Sequence, residues 1–230
     1  MSVSNYDDSA EAVWSDEATG RMNRMYRWQR YIYDATRRYY LLGRDQLIDG
    51  LQPLAGATVL EIGCGTGRNL IQAARRFPQA RLYGIDISTE MLTTAIAAID
   101  RHRLDKTIRV THGDATQFDA MALFKVAAFD RVMISYSLSM IPDWHRVLDQ
   151  ALQCLKPGGQ LHIVDFGNQE RLPRPGRKLL LRWLKMFDVT PRHDLQQVLL
   201  ALAAQTHAEL AFTRPFRGYA QYAVLTLPKT

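Results

Sequence analysis

Short apolar runs alternate with amphipathic stretches along the middle of the chain. The apolar runs predict buried strands, and the stretches with apolar positions three or four apart predict helices between them. The predicted strands span 58–62, 81–85, 108–112, 129–135 and 160–165, and the predicted helices span 68–77, 89–103, 121–125 and 144–155. This alternation indicates an α/β fold built on a parallel, doubly wound sheet with right-handed crossovers.

Both ends of the chain depart from this alternation. After a predicted helix at 194–206, two strands at 209–214 and 219–227 flank Pro215–Gly218, which predicts an antiparallel hairpin added to the sheet. The first part of the chain is helical in pattern over 19–42 and 45–51. We therefore expect a helical cap at 1–50 and an α/β domain at 51–230, with a basic insertion at 171–190.

Composition limits the class of protein. The chain has 230 residues, 47% of them hydrophobic, and a net charge of +6, which suggests one sizeable core and an anionic partner. Cys64 and Cys154 share no metal-ligand spacing and suggest no disulfide framework, so we expect no metal site and a reducing compartment. The N-terminus is polar and acidic, unlike a signal peptide, and no apolar run is long enough to span a membrane, so we expect a cytoplasmic protein.

The first predicted strand ends in a glycine-rich turn. Gly63, Gly65 and Gly67 precede a helix, and such a turn presents backbone N–H groups and a helix N-terminus to a ligand. A dinucleotide-binding turn would need its third glycine at position 68, where the chain has Arg68. The run Glu61–Gly67 instead resembles the first motif of S-adenosylmethionine-dependent methyltransferases with a Rossmann-like sheet, a fold whose last strand inserts antiparallel.

This resemblance implies a set of cofactor-binding residues. Asp86 ends the second strand about 20 residues after the turn, the spacing of a carboxylate that accepts the ribose hydroxyls. Asp114 follows the third strand, where the resemblance implies that it accepts the adenine amine while Ala115 donates a backbone N–H to the ring. The remaining implied contacts to S-adenosylmethionine are Glu61, Gly63, Gly65, Gly67, Ile87, Met91 and Ser135. A structural role for Glu61 and core positions for Ile87 and Met91 remain open alternatives.

The sequence gives less direct evidence for the methyl acceptor than for the cofactor. Methyltransferases that act on base amines usually carry Asp/Asn-Pro-Pro-aromatic after the fourth strand, where this chain has Ser135-Tyr136-Ser137. No base-stacking platform is evident either, so no nucleic-acid partner is expected.

Two amphipathic stretches carry many of the basic residues. Tyr26, Tyr33 and Tyr40 recur every seventh residue and share one helix face, which either packs on the core or lines a site for a cationic nitrogen. In the stretch 176–187, basic and apolar side chains fall on separate faces. That pattern is typical of a helix at a membrane interface and equally of a surface helix with one buried stripe. The residues predicted to contact a membrane surface are Lys178, Arg182, Trp183 and Lys185.

The segments Arg24–Arg30, Ile32–Asp34 and Tyr39–Asp45 resemble the bacterial diacylglycerylhomoserine N-methyltransferases of betaine-lipid synthesis. The resemblance implies successive methylation of the homoserine amine, with S-adenosylhomocysteine as product and a lipid substrate at an anionic inner-membrane surface, to which the enzyme binds peripherally. It is the basis for predicting Tyr33, Tyr40 and Tyr136 as catalytic residues around the amine, and Tyr26, Arg38 and Arg44 as substrate contacts. A phospholipid, quinone or other small-molecule methyltransferase with the same cofactor site is the alternative.

Overall fold

The computed structural model describes residues 41–170, 178, 180, 182, 184 and 189–229. The predicted site residues outside this part of the chain are Tyr26, Tyr33, Arg38, Tyr40, Trp183 and Lys185. The chain divides into two compact units, Met1–Leu41 and Leu42–Thr230. The first helix of the described residues, α1 (Arg44–Leu51), belongs to the larger unit, whereas the sequence pattern places it in the predicted cap at 1–50.

A seven-stranded sheet of order β3-β2-β1-β4-β5-β7-β6 organises the larger unit. The strands are β1 (Thr58–Ile62), β2 (Arg81–Asp86), β3 (Ile108–His112), β4 (Phe129–Ser135), β5 (Leu155–Phe166), β6 (Glu209–Thr213) and β7 (Ala220–Thr226). The remaining described α-helices of more than one turn are α2 (Arg68–Arg76), α3 (Thr89–Arg101), α4 (Ala120–Phe124), α5 (Trp144–Gln153) and α6 (Leu195–Thr206). The first five strands pair in parallel and β7 pairs antiparallel with β5 and β6, so the predicted α/β fold and terminal hairpin are confirmed.

The core lies on the central strands. All five residues of β1 are buried, as expected for a strand that is covered on both faces in a parallel sheet. On one flank, the ring of Tyr83 packs edge-on against Phe124 and Phe129, with centroids 5.1 and 5.5 Å away. Aromatic contacts of this kind hold α4 against β2 and β4.

Strand β5 is longer than predicted. The pattern suggested a turn before position 160, but β5 already begins at Leu155, which pairs with Phe129. The β4–β5 register then shifts between Phe129 and Arg131, and this irregularity accommodates the residues around Gly158, whose φ is 72°. This irregular pairing replaces the expected turn, because a strand can carry extra unpaired residues and continue its pairing beyond them.

The carboxyl ends of several strands lie along one side of the sheet. The carboxyl ends of β1, β2, β4 and β5 meet there because these strands are parallel. Phe166, the last residue of β5, pairs with Ala220, the first of β7, so the β6–β7 connection Pro215–Gly218 reaches the same edge. We call this the carboxyl edge; ligands of open α/β sheets bind outside such edges.

Candidate functional site

The glycine turn is tightly folded at the carboxyl edge. Gly63, Gly65 and Gly67 all have left-handed φ angles, of 72°, 53° and 72°. The N–H groups of Gly63 and Cys64 both donate to the Ile85 carbonyl oxygen, which fixes the turn to the end of β2. A Cβ added at Gly63 would lie 2.7 Å from the Cβ of Ser137, so the segment after β4 approaches too closely for any side chain there.

Asp86 connects the turn to the next helix. Its Oδ2 accepts the Gly65 N–H at 2.7 Å, and its Oδ1 accepts the Ser88 N–H at 2.9 Å. Ser88 in turn caps α3, because its Oγ accepts the Met91 N–H at 3.3 Å. The Asp86 carboxylate is half-buried and held facing the turn, and its remaining lone pairs are suited to accept ligand hydroxyls.

Glu61 is buried beneath the turn. Its side chain is 1% exposed, and Oε1 accepts a hydrogen bond of 2.8 Å from the Asn69 side chain. Within the described part of the chain, Oε2 is buried and has no hydrogen-bond partner. Burial raises the pKa of Glu61 to about 8, against the lowering effects of Asn69 and of the Arg44 charge. A group of this kind stays protonated at neutral pH until a cation approaches it.

The residues predicted to contact the adenine or ribose are exposed or half-buried. The Asp114 carboxylate accepts hydrogen bonds from the Thr116 N–H and hydroxyl, at 2.8 and 2.7 Å, and these bonds lower its pKa. Ile87 directly follows Asp86 and is 67% exposed, which excludes a core position for it. Met91 and Ala115 are half-buried. An exposed apolar side chain beside Asp86 is available to cover a flat ring, and the contacts themselves stay predictions.

Tyr136 lies inside the protein. Its side chain is 1% exposed, its hydroxyl donates to the Leu42 carbonyl oxygen, and its ring packs edge-on against Phe166 at 4.7 Å. Its φ of 57° is unusual for a residue other than glycine. These contacts show that Tyr136 holds the segment after β4 against Leu42 and Phe166. Its predicted catalytic role is untested. Two other predicted site residues are also largely inside the protein. The Oγ of Ser135 is buried and has no hydrogen-bond partner among the described residues, and the Arg44 side chain is 8% exposed.

Sequence reasoning missed a group of buried polar residues near the end of β5. Asp165 is 0% exposed; its Oδ2 accepts the Ser139 N–H at 3.1 Å and its Oδ1 accepts the Phe166 N–H at 2.7 Å. Burial raises the pKa of Asp165 to about 6. Gln169, four residues after Asp165, and Gln221, which pairs with Asp165 across β5 and β7, are also almost completely buried. The available signal was a single aspartate in an otherwise apolar strand segment, Ile163–Phe166.

The basic insertion is described only in part. Lys178 and Arg182 are helical and exposed, and Leu184 is buried, which is consistent with one polar and one apolar face. A membrane role for Lys178 and Arg182 is untested. Over the ranges that the structure describes, no helix is long and apolar enough to cross a membrane, and His, Cys, Asp and Glu form no cluster of three that could hold a metal.

The fold is the Rossmann-like fold of S-adenosylmethionine-dependent methyltransferases. Residues 59–159 match the family model described as "Methyltransferase domain". Demethylmenaquinone methyltransferase of Clavibacter sepedonicus is 31% identical over 154 residues, which cover 64% of this chain and 58% of that protein. The enzyme of the same name from Listeria monocytogenes serotype 4a (strain HCC23) is 29% identical over 176 residues, 73% of this chain and 67% of that protein.

A solved structure supports the fold at lower identity. Phosphoethanolamine N-methyltransferase 2 of Haemonchus contortus, in complex with S-adenosylmethionine, superposes with a TM-score of 0.64 at 18% identity. The match covers 80% of this chain and 52% of that one.

Proposed function

We propose that this protein binds S-adenosylmethionine at the carboxyl edge and transfers its methyl group to a lipophilic acceptor, releasing S-adenosylhomocysteine. The observation that carries the proposal is the glycine turn joined to the Asp86 carboxylate, with the unpartnered Glu61 oxygen beneath it. Asp86 suits the ribose hydroxyls, Ile87 suits a face of the adenine, and Glu61 suits the charged amino-acid tail.

The protein's part in such a reaction is positioning. The cofactor's sulfonium supplies a methyl group that is already activated, so the residues around it need to orient the two reactants and exclude water. The left-handed turn at Gly63 and its close packing on Ser137 bring the glycine turn against the end of β4. The fixed turn can therefore hold one reactant in a defined orientation.

A prenylated quinol is the acceptor that the comparisons favour. The curated relatives described above are named demethylmenaquinone methyltransferases, and their similarity extends over 64% and 73% of this chain. Methylation of diacylglycerylhomoserine, the first expectation from the sequence, is the second candidate. It rests on the tyrosine and arginine segment between Arg24 and Asp45, most of which lies outside the described residues.

One assay separates the two acceptors. The purified protein is given methyl-labelled S-adenosylmethionine with either reduced demethylmenaquinone or diacylglycerylhomoserine in phospholipid vesicles, and the products are identified by mass spectrometry. Methylated quinol supports the first candidate and methylated homoserine lipid supports the second. If neither acceptor is labelled while S-adenosylhomocysteine binds, the proposed acceptor class is wrong.

A further inference from the structure

Buried polar atoms without partners concentrate at the carboxyl edge. In the described residues they include Glu61 Oε2, Ser135 Oγ, Ser139 Oγ, Gln221 Oε1 and both side-chain polar atoms of Gln169. Buried polar groups in folded proteins almost always have a hydrogen-bond partner, and an exception needs an explanation such as an absent ligand. Glu61 and Ser135 belong to the cofactor site proposed above, whereas the other three residues lie further along the sheet, towards β7.

Two of these residues, Ser139 and Gln221, stand on segments that are joined to Asp165. Ser139 donates its N–H to the Asp165 carboxylate, and Gln221 is the register partner of Asp165 across β5 and β7. The Gln221 amide donates to the carbonyl oxygens of Phe166 and Arg192, both at 2.8 Å, which leaves its Oε1 without a donor. Ser139 and Gln221 are therefore held near the end of β5 by these hydrogen bonds and by the β5–β7 pairing.

Gln169 is the most unusual of the three. It is 0% exposed, its φ is 54°, and neither its Oε1 nor its Nε2 has a hydrogen-bond partner in the described structure. Its backbone N–H donates to the Gly218 carbonyl oxygen at 2.8 Å, so the residue is anchored rather than loose. A strained backbone and an unpaired amide at one residue are both unfavourable, and such combinations are typical of ligand sites.

We propose that Ser139, Gln169 and Gln221 form a subsite that binds the oxygen substituents of the methyl acceptor's ring, an inference that rests on the proposed function and deepens it. The Gln169 amide is suited to donate to a carbonyl or phenolic oxygen, and Gln221 Oε1 is suited to accept from a hydroxyl. The Ser139 hydroxyl lies beside the Asp165 carboxylate, whose pKa it lowers, and its oxygen is suited to accept from a hydroxyl as well. The three groups are neutral, and both Asp165 oxygens already accept backbone N–H groups. Neutral donors and acceptors of this kind match the carbonyl and hydroxyl oxygens of a quinol ring.

The test uses Gln169→Leu and Ser139→Ala in the full chain, with Gln197→Leu on the exposed side of α6 as a matched control. With reduced demethylmenaquinone, each subsite variant is expected to raise the acceptor KM about fivefold to tenfold, the loss of one neutral hydrogen bond. The affinity for S-adenosylhomocysteine is expected to stay unchanged. The melting temperature of Gln169→Leu should not fall, because an unpaired buried amide is removed. The control should match the wild type in all three measurements.

A binding experiment keeps this inference separate from the choice of acceptor. 1-Naphthol is titrated calorimetrically into each protein saturated with S-adenosylhomocysteine. Weaker naphthol binding by Gln169→Leu than by Gln197→Leu supports the subsite even if demethylmenaquinone is not methylated. Equal naphthol affinities in folded Gln169→Leu, Ser139→Ala and control proteins, or no naphthol binding by the wild type, would overturn it. If Gln169→Leu does not fold, Ser139→Ala alone decides.

Discussion

At the scale of single residues, the buried carboxylate of Glu61 makes stability depend on pH. Its pKa is about 8 in the folded protein and 4.5 as its ordinary value, so the folded state retains a proton that the unfolded state loses. Protons bound more tightly by the folded state mean that stability falls as pH rises between these two values and levels off above them. The burial of one side chain thus opposes folding at neutral and alkaline pH.

We expect Glu61→Gln to remove the loss of stability that the wild type shows as the pH rises. At pH 8.5 the variant should be more stable than the wild type, by up to about 4 kcal/mol, and the difference should shrink towards pH 5. Urea unfolding across pH 5–9 measures this. Glu209→Gln is a control, since Glu209 is exposed. Parallel stability–pH curves for the wild type and Glu61→Gln would contradict the expectation.

Asp86 has a structural role in the glycine turn and a proposed role in binding the cofactor. We expect Asp86→Ala to weaken S-adenosylhomocysteine binding at least tenfold, because the ribose loses its acceptor and the Gly65 and Ser88 N–H groups lose theirs. Calorimetric titration measures the effect, with the exposed Asp105→Ala as the matched variant. Wild-type affinity in Asp86→Ala would place the ribose elsewhere.

Gly63 is constrained in two independent ways. Gly63→Ala forces a Cβ against Ser137 and a left-handed φ on alanine, so we expect a loss of about 2–4 kcal/mol in unfolding free energy. Adding Ser137→Gly should relieve only the contact and recover part of the loss. Full recovery would show that the φ angle costs nothing, and no recovery would show that the contact is unimportant.

The residues that could be predicted are those whose role follows from local spacing. The positions of the glycines, of Asp86 and of the capping Ser88 follow from the sequence because a strand, a turn and a helix follow one another within about 30 residues. Asp165 and Gln169 were not found, because their burial depends on β7 and on the β6–β7 connection, which are distant in sequence. Tyr136 was identified, but its burial and its bond to Leu42 were not foreseeable.

At the scale of elements, β1, β3 and β4 match their predicted limits because short buried runs between turn residues are unambiguous. The start of β5 differs because the Lys156–Gly159 run predicts a turn locally, while pairing with β4 extends the strand through it. The role of the basic residues of the amphipathic insertion is unexplained, and its exposed cations Lys178 and Arg182 can be tested directly.

If the insertion binds anionic membranes, Lys178→Glu with Arg182→Glu should weaken binding to vesicles containing phosphatidylglycerol by about tenfold or more, since each basic residue near such a surface contributes about 1 kcal/mol. Vesicle flotation measures this. Arg101→Glu with Lys106→Glu makes the same change in net charge at exposed positions on and after α3. Equal losses in both double variants would indicate a general charge effect, and no wild-type flotation would exclude the membrane role.

At the scale of the whole molecule, the proposed cofactor site draws on β1, β2 and β4 together. A ligand bound there should stabilise the sheet as one unit. S-Adenosylhomocysteine at about 100 times its dissociation constant should add about 2.7 kcal/mol to the unfolding free energy. Calorimetric melting with and without the ligand tests this. Ligand-dependent protection from hydrogen exchange confined to Gly63–Gly67, without a change in melting, would contradict it.

The antiparallel insertion of β7 has a consequence for biosynthesis. Because β7 fills the position between β5 and β6, β5 keeps an open edge until the residues through Thr226 have left the ribosome. During translation, the nascent chain therefore exposes β5, a long strand that is largely buried in the folded protein, to chaperones or to other nascent chains. Arrested ribosomes that display the chain only to Arg214 should yield a protease-sensitive β5, and release of a longer chain should protect it.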